Sequence, residues 1–395
     1  MKLYGRVFES VNLDAIKHNM EAMQANLAEG TKIIGVVKSD GYGHGAVPVA
    51  LAIDPYVWGY AVATAEEGVI LRKHGIQKPV LVLGVVPLEG YDLLVEYGIS
   101  SSVFQYKRAC LLSKAACKAG KKAIVHLAVD TGMSRIGFPV TKEAAEEAVR
   151  ICGLPGIEVE GLFTHFAKAD ETDKASTERQ IKEYRKFVDM LSERGIRIPV
   201  LHCSNSAGIL DIPAANFHAV RAGISIYGLY PSDQVDKETV KLTPAMELKS
   251  VVSYIKKIGP GTAVSYGGTF VAEKDMVVAT IPVGYGDGYP RNLSGKGEVL
   301  IRGQRARILG RVCMDQFMAD VTEIQEADED DEVVLIGTQG QEQITVEEVA
   351  NTCGGFHYEI ICDIGKRVPR VYYENGQIVG TKDYFDDCYK GFQKV

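Results

Sequence analysis

Five side chains that can carry charge or donate a hydrogen bond stand at or within a few residues of the carboxyl ends of predicted β-strands. They are Lys38, Arg135, His165, Ser206 and Arg221. In a barrel of parallel strands the reacting groups lie at the carboxyl ends of the strands, because the loops there meet at one mouth. One basic residue after a strand is usually a surface charge, and one histidine usually belongs to the core. Several such residues around a single ring predict a catalytic site.

Lys38 has the most informative surroundings of the five. It follows the apolar segment 33–37 and precedes a glycine-rich stretch that contains Tyr42. Burial disfavours an ammonium ion, so a lysine in this place can act as a neutral amine and form a Schiff base with an aldehyde. The glycines allow close approach of the backbone, and the Tyr42 hydroxyl can bond an anion. The glycine spacing is by itself a weak signal.

The elements that would position these residues alternate between strands and helices from about residue 30 to 230. Nearly continuous apolar runs are typical of parallel strands buried on both faces, and they predict strands at 32–37, 57–62, 79–85, 100–104, 123–129, 157–163, 199–202 and 217–220. Amphipathic helices are predicted at 65–74, 141–152 and 174–194. Eight strand–helix units in about 200 residues predict a TIM-like (β/α)8 barrel. A doubly wound open sheet is the alternative, and the lack of a Gly-x-Gly-x-x-Gly fingerprint favours the closed barrel.

The second part of the chain has a different pattern, which predicts a mostly β domain. β-rich runs separated by glycine-rich turns occur at 248–258, 276–283, 298–301, 306–309, 316–321 and 332–336, and the one long helix is expected at 345–353. We therefore expect a barrel domain over residues 1–243 and a mostly β domain over residues 244–395. The N-terminal residues could pair with the β domain.

Composition excludes several classes of function. The chain has 395 residues, of which 46% are hydrophobic and 24% charged, and its formal net charge is -7. That balance is typical of a soluble globular protein and provides no electrostatic attraction for nucleic acid or for an anionic membrane. No segment approaches the ~18 apolar residues of a membrane helix, and the first residues lack the apolar core of a secretion signal. We expect a cytoplasmic protein.

Metal and disulfide chemistry are not expected either. The eight histidines form no His-Glu-x-x-His motif and no cluster with cysteines at zinc spacing. The eight cysteines are scattered and form no Cys-x-x-Cys pair, so we expect reduced thiols. The acidic run at 326–332 is interpreted as a solvated turn, not as a metal site.

Longer motifs connect the candidate residues with a known family. Residues 36–45, VVKSDGYGHG, resemble the pyridoxal-phosphate signature of bacterial alanine racemases, and residues 129–137, VDTGMSRIG, resemble the arginine motif of that family. Further motifs match in the family's order at 204–207, 220–228, 264–267, 282–288, 310–316 and 367–370. The resemblance covers nearly the whole chain and is specific, because the last four motifs lie in the second domain. The family's architecture, a TIM-like barrel followed by a β domain, agrees with the predicted elements.

The resemblance implies two acid–base groups. Lys38 would hold pyridoxal phosphate covalently and, once freed, act as one of them, and Tyr266 of the partner subunit in a homodimer with shared active sites would act as the other. Inversion at an α-carbon requires that a proton leave one face and arrive at the other, which two groups on opposite sides achieve directly. A tyrosine hydroxyl is ordinarily protonated at neutral pH, so His165 and Arg221 would supply the positive environment that favours its deprotonated form.

The resemblance also implies how cofactor and substrate are held. Arg221 would face the pyridine nitrogen and, because arginine only donates hydrogen bonds, would keep that nitrogen unprotonated and so limit transamination. His202 could orient Arg221, although core packing is as good an explanation. The implied phosphate ligands are Tyr42, Ser206, the backbone N–H groups of Gly223 and Ile224, and Tyr358. Arg135 would contact the substrate carboxylate, as would Met314 of the partner subunit. Tyr285 would line the entrance.

This sequence departs from the family pattern at Ala128. Many members have a lysine there, and carbamylation of that lysine orients the arginine that corresponds to Arg135. Alanine cannot be carbamylated. We expect that Arg135 is held by a bound anion such as chloride, by water, or by a different side chain.

Together these features predict a pyridoxal-phosphate-dependent racemase that interconverts L- and D-alanine for peptidoglycan precursors. A racemase of another small amino acid such as serine is the nearest alternative. From a different class, the chain could be a non-catalytic pyridoxal-phosphate-binding protein, although Tyr266 and a whole second domain argue against that. A barrel aldolase with a Schiff-base lysine is a distant possibility.

Overall fold

The computed structural model describes residues 5–383. Residues 1–4, which belong to the segment judged to lack a secretion signal, lie outside this range, as do residues 384–395 of the predicted β domain. The chain divides into two compact units. One contains residues 15–41 and 46–244, and the other contains the described residues 5–14, 42–45 and 245–383. No helix in the described part of the chain is long and apolar enough to span a membrane.

The first unit is a closed barrel of eight parallel strands, as predicted. The strands pair with one another in chain order, and the last pairs with the first, since Val220 lies opposite Ile33. Most of them consist largely of buried apolar residues, as is typical of strands covered on both faces, whereas Ser100–Val103 is three buried serines and a valine. They span Lys32–Val36, Gly59–Val62, Val80–Val82, Ser100–Val103, Ala123–Asp130, Ile157–Phe163, Val200–His202 and Ala219–Ala222.

Helices alternate with the barrel strands and start where their sequences predict. Thr64 accepts a hydrogen bond from the Glu67 backbone and completes a capping box, so the next helix begins at Ala65. Thr141 caps the helix Lys142–Cys152 in a similar way, and the predicted small apolar face of that helix is buried. The helices around the barrel span Leu13–Ala25, Ala46–Ile53, Ala65–Lys73, Tyr91–Tyr97, Tyr106–Lys118, Lys142–Cys152, Ala175–Ser192 and the short Ser206–Asp211.

The second unit contains one eleven-stranded sheet, which agrees with the predicted mostly β character. In sheet order its strands are Tyr254–Ile258, Met276–Ile281, Phe317–Asp320, Gln304–Leu309, Glu298–Ile301, Glu332–Gln339, Met246–Val251, Val7–Asn12, Arg370–Glu374 and Gln377–Lys382, and Glu342–Ile344 pairs with Glu332–Gln339. The run expected at 248–258 is two strands. Two helices, Val346–Cys353 and His357–Cys362, belong to this unit, and the second was not predicted.

The N-terminal strand belongs to the sheet of the second unit. Val7–Asn12 lies antiparallel to Met246–Val251 and parallel to Arg370–Glu374. Its alternating burial follows from one face packing on the core of that unit.

Candidate active site

A cavity of about 230 Å³ lies at the carboxyl ends of the barrel strands. We call it the barrel cavity. Four of the five candidate residues line it: Lys38, Arg135, His165 and Arg221. The remaining lining is largely apolar and includes Ala128, Val129, Met133, Ile136 and Phe163. The structure therefore brings together basic residues that are far apart in the sequence.

The half-buried Lys38 is positioned by an unusual turn that follows its strand. Ser39, Asp40 and Gly41 all have positive φ angles, of 52°, 51° and 64°. Residues with a Cβ rarely adopt this conformation, which costs free energy unless other contacts hold it. Two hydrogen bonds do so: the Ser39 N–H donates to Glu67 over 2.6 Å, and the Asp40 carboxylate accepts from the Ala46 N–H over 3.0 Å.

Arg221 is the most deeply buried cation of the barrel cavity. One terminal nitrogen, Nη1, donates to His202 Nδ1 over 2.9 Å, and the other, Nη2, donates to the carbonyls of Thr164 and Cys203 over 2.9 and 2.8 Å. Among residues 5–383 no acceptor bonds its Nε–H. Burial lowers the pKa of Arg221 to about 10, so the guanidinium stays charged at neutral pH. Its Nε–H remains available to an acceptor from outside the chain.

His165 is a neutral imidazole in this structure. Burial, followed by the positive charges of the basic side chains around it, lowers the pKa of His165 to about 3. Arg221 Nη2 lies 3.3 Å from His165 Nδ1, and because arginine only donates, that nitrogen accepts and the proton resides on Nε2. Of the two residues expected to supply a positive environment, Arg221 is therefore the charged one, while neutral His165 can offer a hydrogen bond.

The predicted phosphate ligands of the first unit lie together. Ser206 begins the short helix Ser206–Asp211, and its hydroxyl accepts a hydrogen bond from the Gly223 N–H over 3.0 Å. The Ser225 hydroxyl donates to the same oxygen over 2.8 Å. Ile224 starts a 3₁₀ turn, so its N–H has no acceptor within that turn. The Ser206 hydroxyl proton and the Ile224 N–H can therefore donate to an anion, whereas the predicted ligand Gly223 already donates its N–H to Ser206.

The predicted phosphate ligands of the second unit are two tyrosines. The ring centroids of Tyr42 and Tyr358 are 6.2 Å apart, and Phe356 stacks on Tyr358 at 4.6 Å. Burial raises the pKa of Tyr42 well above its usual value. Its hydroxyl is therefore a neutral donor.

Tyr266 lies in the second unit and is 70% exposed. It follows Ser265, which has a φ of 66° and whose hydroxyl donates to the Arg311 carbonyl over 2.6 Å. The turn that presents Tyr266 is thus attached to the segment that leads to Met314.

Tyr285 and Met314 occupy adjoining loops of the same unit. The Tyr285 N–H donates to the Cys313 carbonyl over 3.1 Å, and the Gly286 N–H donates to the Met314 carbonyl over 2.8 Å. Tyr285 is 42% exposed and Met314 54% exposed. Gly284 permits this contact, because a Cβ there would lie 2.3 Å from the Cys313 carbonyl oxygen.

A buried carboxylate that was not assigned a role holds the Tyr285 loop. Asp287 pairs with Arg6 over 2.6 Å and with Arg367 over 2.9 Å, and it accepts from the Gly284 N–H over 3.0 Å. Burial raises the pKa of Asp287, but these bonds outweigh it and the pKa is lowered. Asp287 could have been recognised from the sequence by its position inside the motif at 282–288.

Arg135 stands beside Ala128 on the wall of the barrel cavity. The loop before it is held by Asp130, whose carboxylate accepts from the Gly132 and Ser134 N–H groups over 3.0 and 2.9 Å. In the part of the chain between residues 5 and 383, no side chain forms a hydrogen bond or ion pair with Arg135. Arg135 was expected to be held by a bound anion, by water or by a different side chain. None of the described residues provides such a side chain.

Two residues that were not predicted from the sequence, His126 and Glu160, lie behind Arg221. His126 Nδ1 lies 2.9 Å from His202 Nε2, and His126 Nε2 lies 3.0 Å from Glu160. The alternation of the strand Ala123–Asp130 places His126 on the face of Ala128, so a polar residue on the inner face of an apolar strand was a usable signal. No such sequence signal marked Glu160, because the register of its strand shifts at this point.

Comparison with known proteins places the chain in one family. The model of the alanine racemase N-terminal domain matches residues 11–231, and that of the alanine racemase C-terminal domain matches residues 245–372. A curated protein named alanine racemase 1 from Clostridium acetobutylicum is 44% identical over 379 residues, which cover 96% of this chain and 98% of the relative. An alanine racemase from Desulforamulus reducens is 44% identical over 367 residues, covering 93% and 98%.

Solved structures agree with these sequence relationships. The alanine racemase of Clostridium difficile 630 superposes with a TM-score of 0.94 at 39% identity, covering 97% of this chain and all of the other. The alanine racemase of Bacillus anthracis with bound L-Ala-P superposes with a TM-score of 0.93 at 35% identity, covering 98% and 100%. The resemblance found in the motifs is confirmed, and the chain belongs to the alanine racemase family.

Proposed function

We propose that this protein interconverts L- and D-alanine with pyridoxal phosphate as cofactor and so supplies D-alanine for peptidoglycan. The observation that carries the proposal is the barrel cavity, where the Lys38 amine shares one small space with Arg135, His165 and Arg221. Family membership supports it. The extent of the similarity, which includes the second unit, argues against a non-catalytic cofactor-binding protein.

The residues present fit pyridoxal phosphate. Lys38 offers an amine for the aldehyde, and the Nε–H of Arg221 faces no acceptor among the described residues, which suits a ring nitrogen that only accepts. The Ser206 hydroxyl, which the Gly223 N–H holds in place, and the Ile224 N–H suit the phosphate. When bound, this cofactor withdraws electrons from the α-carbon of an amino acid and weakens its C–H bond.

Residues of this protein transfer the protons at the α-carbon. Lys38 takes or returns the proton on one face, and Tyr266 of the partner subunit serves the other face. Neutral His165 can hold the tyrosine oxygen with its Nε2–H. Arg135 binds the substrate carboxylate together with Met314 of the partner subunit. Tyr285 lines the entrance to the site.

Several features support a homodimer in the cytoplasm. Tyr266, Tyr285, Met314 and Phe356 are all exposed in the single chain although they are large and apolar, and such a group commonly marks an interface. Seven cysteines in the described residues are free thiols, which suits a reducing compartment.

The test is a chiral assay over a panel of amino acids with purified protein, together with its visible spectrum. We expect conversion of both alanine enantiomers, with serine slower. Lys38→Ala abolishes racemisation and the absorbance of the covalently held cofactor, and Tyr266→Phe abolishes racemisation while that absorbance remains. Lys32→Ala, at the opposite end of the strand that leads to Lys38, retains both.

Two results would count against the proposal. Full racemase activity in Tyr266→Phe would remove the second proton carrier. A faster reaction with serine than with alanine would establish the alternative substrate.

A further inference from the structure

A chain of four polar side chains leads away from the barrel cavity. Arg221 Nη1 lies 2.9 Å from His202 Nδ1, His202 Nε2 lies 2.9 Å from His126 Nδ1, and His126 Nε2 lies 3.0 Å from Glu160 Oε2. The first three side chains are almost completely buried, and Glu160 is 24% exposed. We call this series the Arg221–Glu160 chain.

Its hydrogen bonds can run in one direction only. Arginine has donors and no acceptor, so His202 Nδ1 accepts and the proton of His202 is on Nε2. That N–H donates to His126 Nδ1, so the proton of His126 is also on Nε2 and points at Glu160. A carboxylate only accepts, which completes the series without a mismatched pair. Both ends of the chain therefore require the same two tautomers.

Charge is consistent with this arrangement. Burial, followed by the charge of Arg221 and the proximity of His126, lowers the pKa of His202 well below its usual value. His202 is therefore a neutral link. A positive guanidinium stands at the inner end of the chain and a carboxylate at the outer end, with an imidazole pair between them. The carboxylate offsets the charge that Arg221 places inside the barrel.

The backbone is shaped for this contact. His126 pairs with Gly161 and Val125 with Val159, so Glu160 is the extra residue of a β-bulge between these parallel strands. Bulges re-aim side chains and are frequent beside active sites. Gly161 leaves room for the imidazole, because a Cβ there would lie 2.1 Å from His126 Nδ1. Neither feature is needed for a regular barrel strand.

We propose that Glu160 is a positioning residue for the racemase reaction, acting through His126 and His202 to hold Arg221 in one orientation. This inference rests on the proposed function, since Arg221 is the donor assigned to the cofactor ring nitrogen. Glu160 is not among the residues that line the barrel cavity. It supplies the last acceptor of the chain, without which the His126 Nε2–H has no partner in this arrangement and the imidazoles and guanidinium can rearrange.

The first arm of the test is nuclear magnetic resonance of the protein labelled with ¹⁵N in histidine, which reports tautomer and charge directly. We expect His126 and His202 to be neutral with the proton on Nε2 at neutral pH, their signals being assigned with His126→Gln and His202→Gln. Glu160→Gln retains an acceptor and preserves these signals, whereas Glu160→Ala changes those of His126. A proton on Nδ1 of either ring, or a charged ring, would overturn the proposal whether or not the protein is a racemase.

The second arm is steady-state kinetics with alanine. We expect Glu160→Ala to lower kcat about 10-fold with little change in KM, because a misplaced Arg221 affects the chemistry more than substrate binding. Glu160→Gln recovers most of that loss. Glu158→Ala is the matched control, since Glu158 lies in the same strand and pairs with Lys122 at the surface.

Equal kcat values for the residue-160 and residue-158 alanine variants would refute a positioning role. Absence of racemisation in the wild-type protein would instead refute the proposed function, and the tautomers would still decide the structure of the chain. If Glu160→Ala fails to fold, the wild-type tautomers and Glu160→Gln remain decisive.

Discussion

Two arginines and a neutral imidazole share the barrel cavity with Lys38. The imidazole is neutral because it is enclosed and because the basic side chains around it repel a further proton. A neutral His165 can donate one hydrogen bond and accept another, which is what its proposed role between Arg221 and the Tyr266 oxygen requires. Its neutrality also makes stability depend on pH.

We expect His165 to reduce stability in acid. Its folded-state pKa, about 3, lies below that of an unfolded histidine, about 6.5. Between these values the unfolded chain binds a proton that the folded chain does not, so stability is lost as the pH falls. In His165→Asn the free energy of unfolding should decline less, by up to about 1.4 kcal/mol per pH unit.

Urea unfolding at neutral pH and at about pH 5 measures this difference. His74→Asn is a suitable control, since His74 is exposed and bonds only a carbonyl of its own helix. Identical pH dependence in wild type and His165→Asn would show that residue 165 is not a buried neutral imidazole.

Arg135 leads to a second expectation at this scale, because no side chain among residues 5–383 holds it. We expect chloride to orient it. Replacing chloride with gluconate at constant ionic strength should raise KM for alanine about 3-fold, because a guanidinium that is not held in one orientation binds a carboxylate less well. Arg135→Lys should have a high KM that does not respond to chloride. An unchanged KM in wild type would indicate that water performs this role.

At the scale of elements, one arginine connects several segments of the second unit. Arg370, at the start of the strand Arg370–Glu374, pairs with buried Glu9 over 3.0 Å and donates to the Gly43 carbonyl over 3.0 Å. It also donates to three backbone carbonyls between residues 364 and 368. Gly43 is tightly packed, since a Cβ there would lie 2.0 Å from the Ile361 carbonyl oxygen. Arg370 therefore holds the segment that presents Tyr42.

We expect Arg370→Met to destabilise the protein by about 3 kcal/mol, because it breaks a buried ion pair. It should also weaken cofactor binding by loosening the Tyr42 segment. Chemical denaturation and a cofactor titration followed by absorbance measure the two effects.

Arg302→Met provides the control for that experiment, since the Arg302–Asp331 pair lies at the surface of the same unit and should contribute less than about 1 kcal/mol. The double variant Glu9→Leu/Arg370→Met should be more stable than Arg370→Met alone. A double variant that is less stable would contradict the importance of the ion pair.

At the scale of the whole molecule, the proposed homodimer predicts complementation between two inactive variants. In a mixed dimer of Lys38→Ala and Tyr266→Phe, shared sites leave one site with both residues intact. Random pairing makes half of the dimers mixed, so co-expression should restore about a quarter of wild-type activity. Purification through a different tag on each chain isolates the mixed dimer for the assay.

No recovery in the mixed dimer would show that Lys38 and Tyr266 act within one chain. The matched mixture of Lys38→Ala with Lys38→Met should stay inactive in either case, since every site lacks the amine.

Much of the architecture was predictable from sequence because its causes are local. Nearly continuous apolar runs predict buried parallel strands, and residues such as Thr64 and Thr141 mark helix starts by their own hydrogen bonds. The barrel strands were therefore placed within a few residues of their observed bounds. The strand boundary near Val252 and the short helix His357–Cys362 were missed, because neither depends on a periodic pattern long enough to detect.

The candidate site was predictable in its residues but not in its connections. Lys38 and His165 follow strands and Arg221 lies near the end of the strand Ala219–Ala222, so their meeting in one cavity follows from barrel closure. The roles of Tyr266 and Met314 stay predictions, since they depend on a second subunit. Ala128 was recognised as a departure from the motif, and the structure adds that no described side chain compensates for it.

The amino-acid sequence alone determined the family, the eight barrel strands and the identity of the basic residues at their ends. Each of these can be recognised from residues that are close together in the sequence. Only the tertiary structure decided that Val7–Asn12 joins the sheet of the second unit, that Arg370 holds the Tyr42 segment, and that a bulge brings Glu160 to His126. Each of these depends on a register or a packing contact between segments distant in sequence, and residue order does not specify such contacts until the strands have paired.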